Sequence, residues 1–598
     1  MKAWCYLALL PLGACGGNLV QSASTPFSET WQSDQGRSIA ALEQKLRAVK
    51  APAATPVAVG VNESGLYGVT LPEGARWSYP TSADTLPVVA GSVVVASHAG
   101  KLFALDAKSG RELWSIPTEG RELRGAGDDG TYTVAVIAAQ SPGKSRFVAV
   151  TRQGDVVRQL DSAVELGFPA IKGGVAFLPW NNQYVSAVDV KSGEEVARLL
   201  LREIVTQARN FNGELWFGEK GLVRLDSQIR LATTNQATHM ALPARSLPGK
   251  PVWLGSGNQL WPVTSSARLK IRLAATPTES ARLTNGAYLA SYFRVVLGLG
   301  EQKGEVRFVH SLTGDALGLS AGQRGFAVCD ATGKVTLVSE KGGAAGSAEL
   351  GARVSACTVD ITSLALEERQ APPALAVQLG QALGELTPDM AVAQKLLVDE
   401  LIQLPDPLVT KILIDLTSST KIPPDLRGAA RKLIATRRTG KEYMLAALER
   451  HYDFVSDVLL PPPLGPLADA LAAMNEVSAT PLLARHLNDP ANDMADVERA
   501  AVALGKLATP AEYEELRTFF ALYRATADEP SLVSAVVAVA GALLRIGGAP
   551  GRAVVERAAQ DPLTQSDVKR GLMALLTPEG AAPAAASTPN VAQNADRP

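Results

Sequence analysis

The stretch Val93-Val94-Val95-Ala96-Ser97-His98-Ala99-Gly100-Lys101-Leu102-Phe103-Ala104-Leu105-Asp106-Ala107-Lys108-Ser109-Gly110-Arg111-Glu112-Leu113-Trp114 decides how the first half of the chain is read. Runs of β-branched and apolar residues are cut by Gly-containing turns, so the stretch reads as short strands joined by hairpins. Pro87 to Ala90 supplies a strand before it, and Leu113 opens another. A second copy runs from Gly174-Val175-Ala176-Phe177 through Tyr184 to Asp189 and on to Val196, with Ser192-Gly193 in the turn. Weaker copies centre on Thr151, Asp226, Thr264, Ser311 and Ser339, and an early one at Gly65 to Val69 ends in Arg76-Trp77.

These marks recur about every 40 residues, the period of a four-stranded propeller blade, and eight of them are counted between residues 56 and 361. Ala104-Leu105-Asp106 with Ser109-Gly110 and Trp114 resembles the repeat of the pyrroloquinoline-quinone (PQQ)-like propeller family, and Asp189 with Gly193 matches it again. The resemblance implies that Asp106, Gly110, Asp189 and Gly193 shape the turn between the outer strands, and that Trp114 packs between neighbouring blades. The copy starting at Pro56 lacks an inner strand, while a spare strand, Arg353 to Val359, follows the eighth copy. The late strand is expected to complete the first blade, closing the ring and leaving no sheet edge open there.

Near residue 370 the apolar period changes to 3.6. Asp389, Asp425, Asp496 and Asp567 open segments that align without gaps, starting 36, 71 and 71 residues apart, and further copies lie at Pro463 to Ala468 and at Ser531 to Val539. Each Asp is expected to be an N-cap, with apolar residues at i+1, i+5 and i+8 forming a buried stripe. Pro481 to Leu507 resembles a HEAT repeat, a helix pair that buries its apolar face only by stacking on its neighbours.

The chain opens with Met1-Lys2, an apolar stretch from Ala3 to Leu12, and Leu12-Gly13-Ala14-Cys15. A positive start and a short apolar region make a signal peptide, too short to span a membrane. Leu-Gly-Ala-Cys resembles the bacterial lipobox, which implies lipidation of Cys15 as the first mature residue; Gly16-Gly17 after it resembles the outer-membrane sorting pattern. Cys5 leaves with the signal, and Cys329 and Cys357 remain, either as a disulfide or as two separately buried thiols. The expected organisation is multidomain, β then α: signal peptide 1–14, lipidated Cys and tether 15–55, eight-bladed PQQ-like β-propeller 56–361, linker 362–372, HEAT-like α-solenoid 373–578 and disordered tail 579–598.

Lys plus Arg number 58 against 59 Asp plus Glu, with no basic run, so nucleic acid is not an expected partner. The PQQ-like resemblance raises a PQQ-dependent quinoprotein dehydrogenase, but the family's adjacent Cys pair is missing and no carboxylate stands in a recognisable base or Ca²⁺-ligand motif. Trp180 before Asn181-Asn182, with Trp253 and Trp261, would suit a carbohydrate-binding propeller instead. His98, His239, His310, His451 and His486 show no metal-ligand spacing, and the pairs Gly173-Gly174, Gly342-Gly343 and Gly547-Gly548 fit turns. Glu512, Glu514, Glu515 and Arg517 read as a solvated helix face. The expectation is therefore a non-enzymatic lipoprotein scaffold with no cofactor and no metal. It would sit in the cell envelope at the periplasmic face of the outer membrane, binding envelope proteins through propeller loops and the solenoid groove. A lipid-tethered PQQ-like propeller resembles the lipoprotein family of the outer-membrane barrel-assembly machinery, which implies a part in outer-membrane protein assembly.

Overall fold

A computed structural model describes most of residues 42–577; residues 1–41, 225–258, 261–270, 273–278, 385–390, 451–459 and 578–598, with some shorter stretches, lie outside the description. The chain divides into two compact units, Met1–Glu400 and Leu401–Pro598.

Hairpin after hairpin, the first unit builds antiparallel sheets in chain order. The first holds β1 (Val57–Asn62), β2 (Gly65–Thr70) and β3 (Arg76–Tyr79). The second holds β4 (Val88–Ala90), β5 (Val93–His98), β6 (Lys101–Asp106) and β7 (Glu112–Pro117), and the third β8 (Glu122–Asp128), β9 (Tyr132–Ala138), β10 (Ser145–Thr151) and β11 (Val156–Ser162). The fourth holds β12 (Ala170–Lys172), β13 (Val175–Trp180), β14 (Tyr184–Asp189) and β15 (Glu195–Leu200). Then come β16 (Gln207–Phe211), β17 (Glu214–Gly218) and β18 (Leu222–Arg224), and the short pair β19 (Gln259–Leu260) and β20 (Ile271–Arg272). A seventh sheet comprises β21 (Glu279–Arg282), β22 (Tyr288–Tyr292), β23 (Val295–Leu299) and β24 (Val306–Ser311); the eighth comprises β25 (Ala316–Gly322), β26 (Gly325–Asp330), β27 (Lys334–Ser339) and β28 (Ala344–Glu349).

The last strand, β29 (Ala356–Asp360), pairs antiparallel with β1, Val57 opposite Asp360 and Val61 opposite Ala356, and becomes the inner strand of the first sheet. Inner strands β21, β25, β29, β4, β8, β12 and β16 are successive neighbours. Apolar layers fill the seams between consecutive sheets: Val57, Trp77, Phe103 and Leu105 between the first two, and Ala58, Leu71, Cys329 and Val359 between the eighth and the first. The unit is a β-propeller.

Three sequence expectations change here. The copy centred on Ser311 is out of phase, because Ser311 ends the outer strand β24 rather than a third strand. Third and outer strands are both short apolar runs ending near Gly, so the period leaves the phase open. The copies centred on Asp226 and Thr264 lie outside the described residues. The stretch 362–372 is held to the eighth sheet rather than running free: Arg369 N–H donates to Ala344, Ser339 Oγ to Glu368, and Leu366 is buried. Finally, part of the expected tether packs on the ring, as described below.

Helix α1 (Leu375–Gly384) covers the outer edge of the seventh sheet, where Gln378 Oε1 accepts the Val309 N–H at 2.7 Å. After α2 (Ala391–Gln403), the second unit is all helix: α3 (Leu408–Thr417), α4 (Pro424–Thr436), α5 (Lys441–Leu448), α6 (Leu464–Ala473), α7 (Thr480–His486), α8 (Met494–Leu507), α9 (Tyr513–Tyr523), α10 (Pro530–Ile546), α11 (Gly548–Gln560) and α12 (Ser566–Leu576). Helices α4, α6, α8, α10 and α12 lie side by side in that order, and they are the helices that carry the repeat starts at 425, 463, 496, 531 and 567. The stripe expected from Asp496 is buried, at Val497, Ala501 and Leu504.

The repeat Asp is not the cap. Asp493 caps α8, accepting from Ala495 N–H at 2.9 Å, and Gln565 caps α12, accepting from Asp567 and Val568 N–H groups. Asp425, Asp496 and Asp567 stand inside the first turn, where the helix dipole still favours a carboxylate. Asp389 lies outside the described residues. Glu512, expected on a solvated face, is buried: it takes the Thr509 N–H at 2.7 Å and closes a capping box.

Candidate interaction surfaces

The motif glycines Gly110 and Gly193 and the motif Trp114 act on the seams between sheets. Gly110 sits at φ +69° in the β6–β7 turn, and a β-carbon there would lie 2.5 Å from the Trp77 ring of the preceding sheet. Trp77 lies over this glycine and donates its indole N–H to Ala107 O at 3.0 Å. The arrangement repeats around the ring with different side chains. Trp114 of β7 lies against Gly154, Arg158 of β11 against Gly193, and Phe308 of β24 against Gly342, always one sheet onto the next.

Two further features make room for the lock. Between third and outer strands the register slips just before the lock residue, at Ala104/Leu105, Ala149/Val150 and Gly298/Leu299. Such bulges turn a side chain out of the strict alternation. The lock residue then falls opposite a small one: Trp77 opposite Gly68, Trp114 opposite Ala104, Arg158 opposite Ala149, Phe308 opposite Gly298. Ala104, the first residue of the family-like motif, thus gives its Trp space. Only the Trp members of this series stand out in the sequence; Arg158 and Phe308 occupy the same position without sharing its chemistry.

The motif carboxylates are consumed by their own turns. Asp106 Oδ1 accepts from the Ser109 N–H and hydroxyl, at 2.9 and 2.8 Å. Asp189 accepts from Lys191 and Ser192 N–H groups and pairs with Lys45. Burial raises the Asp189 carboxyl, but Lys45 and these N–H donors outweigh it and the net shift is downward. Asp330 is also held low, burial being opposed by bonds from Thr332, Thr313 and Gly314. Cys329 of β26 and Cys357 of β29 form a disulfide with Cα atoms 6.4 Å apart, at the seam where the ring closes.

In an antiparallel four-stranded sheet, the turn from inner to second strand and the turn from third to outer strand share one end. At this end lie the described residues between 42 and 55. Residues 42, 45 and 46 are helical, and Leu42 and Leu46, 2% and 5% exposed, enter the apolar layer made by Phe177, Val185 and Ala187 of the fourth sheet with Leu215 and Phe217 of the fifth. Val49 lies against Gly173 and Pro52 against Gly130. Thr55 N–H donates to Gly91 O at 2.9 Å. Gly173, Gly130 and Gly91 occupy the same inner turn of the fourth, third and second sheets, each at positive φ, so the segment visits the sheets in reverse order before entering β1.

Beside this path, Asp128 ends β8 with its carboxylate buried. It accepts from Thr133 Oγ1 at 2.9 Å, Gly130 N–H at 3.1 Å and Arg152 at 2.9 Å; burial outweighs these partners and raises it to about 6. The opposite end of the sheets carries Ile204 (52% exposed) and Phe293 (42%), and ion pairs such as Arg294–Asp315 and Arg121–Glu119. His98 there bonds Asp84 at 2.9 Å.

Within the helical unit, ion pairs tie one repeat to another. Asp469 of α6 holds Arg499 of α8, and Arg431 of α4 holds Asp496. Arg545, at the end of α10, donates to Gly505, Leu504 and Ala508 carbonyls and so closes the C-terminus of α8. His486 is buried, with Nε2 2.8 Å from Leu448 O.

Trp180 is buried, stacked on Tyr184 at 4.5 Å with Arg198 over its ring, and its N–H goes to Ser186 Oγ. Asn181 and Asn182 form a left-handed hairpin turn, φ +50° and +61°. His310 is enclosed, and burial lowers it. Cys15, His239, His451, Trp253 and Trp261 lie outside the described residues. Among the described residues no group of three or more His, Cys, Asp or Glu is arranged to hold a metal ion, and no helix is long and apolar enough to cross a membrane.

No family model matches the chain. No curated protein matches it either. Solved structures do. BamB from Moraxella catarrhalis is 16% identical over 50% of this chain and 84% of that one, with a TM-score of 0.26. Sqt1 from Saccharomyces cerevisiae is 10% identical over 50% and 84%, with a TM-score of 0.28. Apo AztD from Citrobacter koseri is 10% identical over 51% and 98%, also at 0.28.

Proposed function

We propose that this protein is a non-enzymatic scaffold of the bacterial cell envelope, lipid-anchored through Cys15 at the periplasmic face of the outer membrane. Its first unit is an eight-bladed PQQ-like propeller and its second a HEAT-like solenoid. The observation that carries the reading is where the repeat residues spend their chemistry. Asp106, Asp189 and Asp330 give their carboxylates to turn N–H groups, and Trp77 and Trp114 are buried in seams between sheets. Polar and aromatic residues that could serve a reaction instead hold large surfaces rigid, which is what protein binding by repeat arrays requires. Envelope proteins are the partners the reading names, with outer-membrane protein assembly as their setting.

The test is affinity capture of the tagged protein from solubilised envelopes, beside a Cys15→Ser variant. Reproducible envelope partners, together with release of the variant from the membrane fraction, are expected. Recovery of the protein alone with turnover of a small molecule would refute the scaffold, and a Cys15→Ser variant as firmly bound as the wild type would refute the anchor.

A further inference from the structure

We propose that the mouth of the ring's central channel, at the end where the inner strands begin, binds a small oxyanion between Arg124 and Arg209. Successive inner strands carry the site: β8, β12 and β16 are neighbours in that order. The segment entering β12 extends it toward this end, and Phe168 there bridges Gln207 of β16 in parallel. Phe168 N–H donates to Thr206 O at 2.9 Å and Ala208 N–H to Phe168 O at 2.8 Å, so its backbone is fixed to β16. The Phe168 ring packs on Gly125 of β8, where a β-carbon would lie 2.5 Å from it. Over the face of the same ring lies the Arg209 guanidinium, 3.2 Å from the centroid.

Arg124 comes to this place through a change of register. Leu123 stands opposite Ile137 and Gly125 opposite Val136, so Arg124 has no opposite residue on β9. A bulge of this kind re-aims the side chain it carries. One edge of an inner strand pairs with the second strand, and neighbouring sheets close its faces, which leaves the channel as the open side; Arg124 is exposed. The carboxylates near it are held by other groups: Glu119 by Arg121 and Arg146, and Asp161 by Arg146. Glu122, two residues earlier, has a partner of its own.

Arg209 supplies the second guanidinium. Part of its surface is accessible although protein surrounds it, as for a side chain that lines an internal channel. Burial lowers it to about 9, and Asp360 of β29, from the first sheet, opposes that shift. The Asp360 carboxylate is itself held by the Thr362 N–H and hydroxyl, at 2.9 and 2.7 Å. A cation that has lost much of its water is stabilised by an anion that hydrogen-bonds it, and the planar guanidinium fork matches a carboxylate or phosphate, two oxygens at a time. The place on inner strands, within the ring rather than on its rim, sets the size of the ligand: a free ion, not the surface of a folded partner.

The test is isothermal titration calorimetry of the full chain at low ionic strength, with inorganic phosphate and citrate as probes. One ion per chain is expected for at least one probe. Arg124→Ala is expected to weaken it at least about tenfold, the loss usual for a charged hydrogen-bonding partner. Because Arg124 is exposed, the Tm of this variant without the probe should match the wild type. Arg209→Lys keeps the charge but not the planar fork and should weaken binding as well; Arg124→Ala alone decides should that variant not fold. Arg121→Ala removes a base already paired with Glu119 at the same end of the sheets and should leave binding unchanged. Absence of binding by both probes, equal binding by Arg124→Ala, or equal weakening by Arg121→Ala would overturn the proposal.

Discussion

Replacing Gly110 by Ala tests the inter-sheet lock, with Gly100→Ala as its control. Both glycines belong to the second sheet and both are left-handed, at φ +69° and +77°. That conformation costs an L-residue roughly 1–2 kcal/mol. A β-carbon on Gly100 meets nothing within 4 Å, so the control should lose only this backbone term. At Gly110 the new carbon would stand 2.5 Å from the Trp77 ring, which must move. Overpacking of this kind costs about 1–3 kcal/mol. Moving the indole also breaks its 3.0 Å bond to Ala107 O, worth about 1 kcal/mol. Gly110→Ala should therefore cost roughly 3–6 kcal/mol against about 1–2 for Gly100→Ala, lowering the ring's Tm by about 6–24 °C against about 2–8 °C in scanning calorimetry. In a Trp77→Ala background the two substitutions should become equal. Equal effects in the wild-type background would refute the lock.

Three further outcomes are expected. Mass spectrometry without reductant should show Cys329 and Cys357 joined, and replacing both by Ala should cost about 3.5 kcal/mol from the loop-closure entropy of the 28-residue separation, read as a lower Tm of the ring. The Asp128 carboxyl titrates near 6 in the folded chain, against about 3.9 unfolded. Folding therefore binds its proton more tightly, and this group's contribution grows as pH falls from about 6 to about 4 and is lost as pH rises through about 6. The stability difference between wild type and Asp128→Asn, followed across that window by thermal denaturation, should carry this slope, and a difference independent of pH would contradict it. Arg545→Ala should destabilise the helical unit by about 1–3 kcal/mol by uncapping α8, and Arg545→Lys should not restore it, since one ammonium does not span three carbonyls; full rescue by Lys in urea unfolding would refute the capping role.

The sequence made the repeats and the closing strand legible because both rest on short-range pattern. Strand runs, Gly turns and the spare Arg353 to Val359 segment can be found by period alone, and β29 pairs with β1 accordingly. Legibility stopped where one position is filled by unrelated residues. Trp77 and Trp114 mark the lock, but Arg158 and Phe308 perform it with nothing in their own identity to show it. At Asp496 the residue type was informative and its assigned place was not, since the cap is three residues earlier at Asp493. The capping box at Thr509 and Glu512 is present in the sequence as Thr-x-x-Glu, but neighbouring Glu514, Glu515 and Arg517 suggest a uniformly wet face. The seat of Leu42 and Leu46 is hidden for a different reason: their partners, Phe177 to Phe217, lie more than a hundred residues away.

The helix covering β24 bears on how the two halves should be separated. An outer strand presents unpaired N–H and C=O groups that invite pairing with another chain, and in the seventh sheet Gln378 and the apolar side of α1 occupy that edge. A chain ended at residue 361, where the β repeats stop, would uncover the Val309 N–H and the surface beneath Leu379 and Leu383, and would tend to self-associate. Ending it after Gln403 retains the cover, so the propeller fragment carries two helices that its repeat pattern would have left behind.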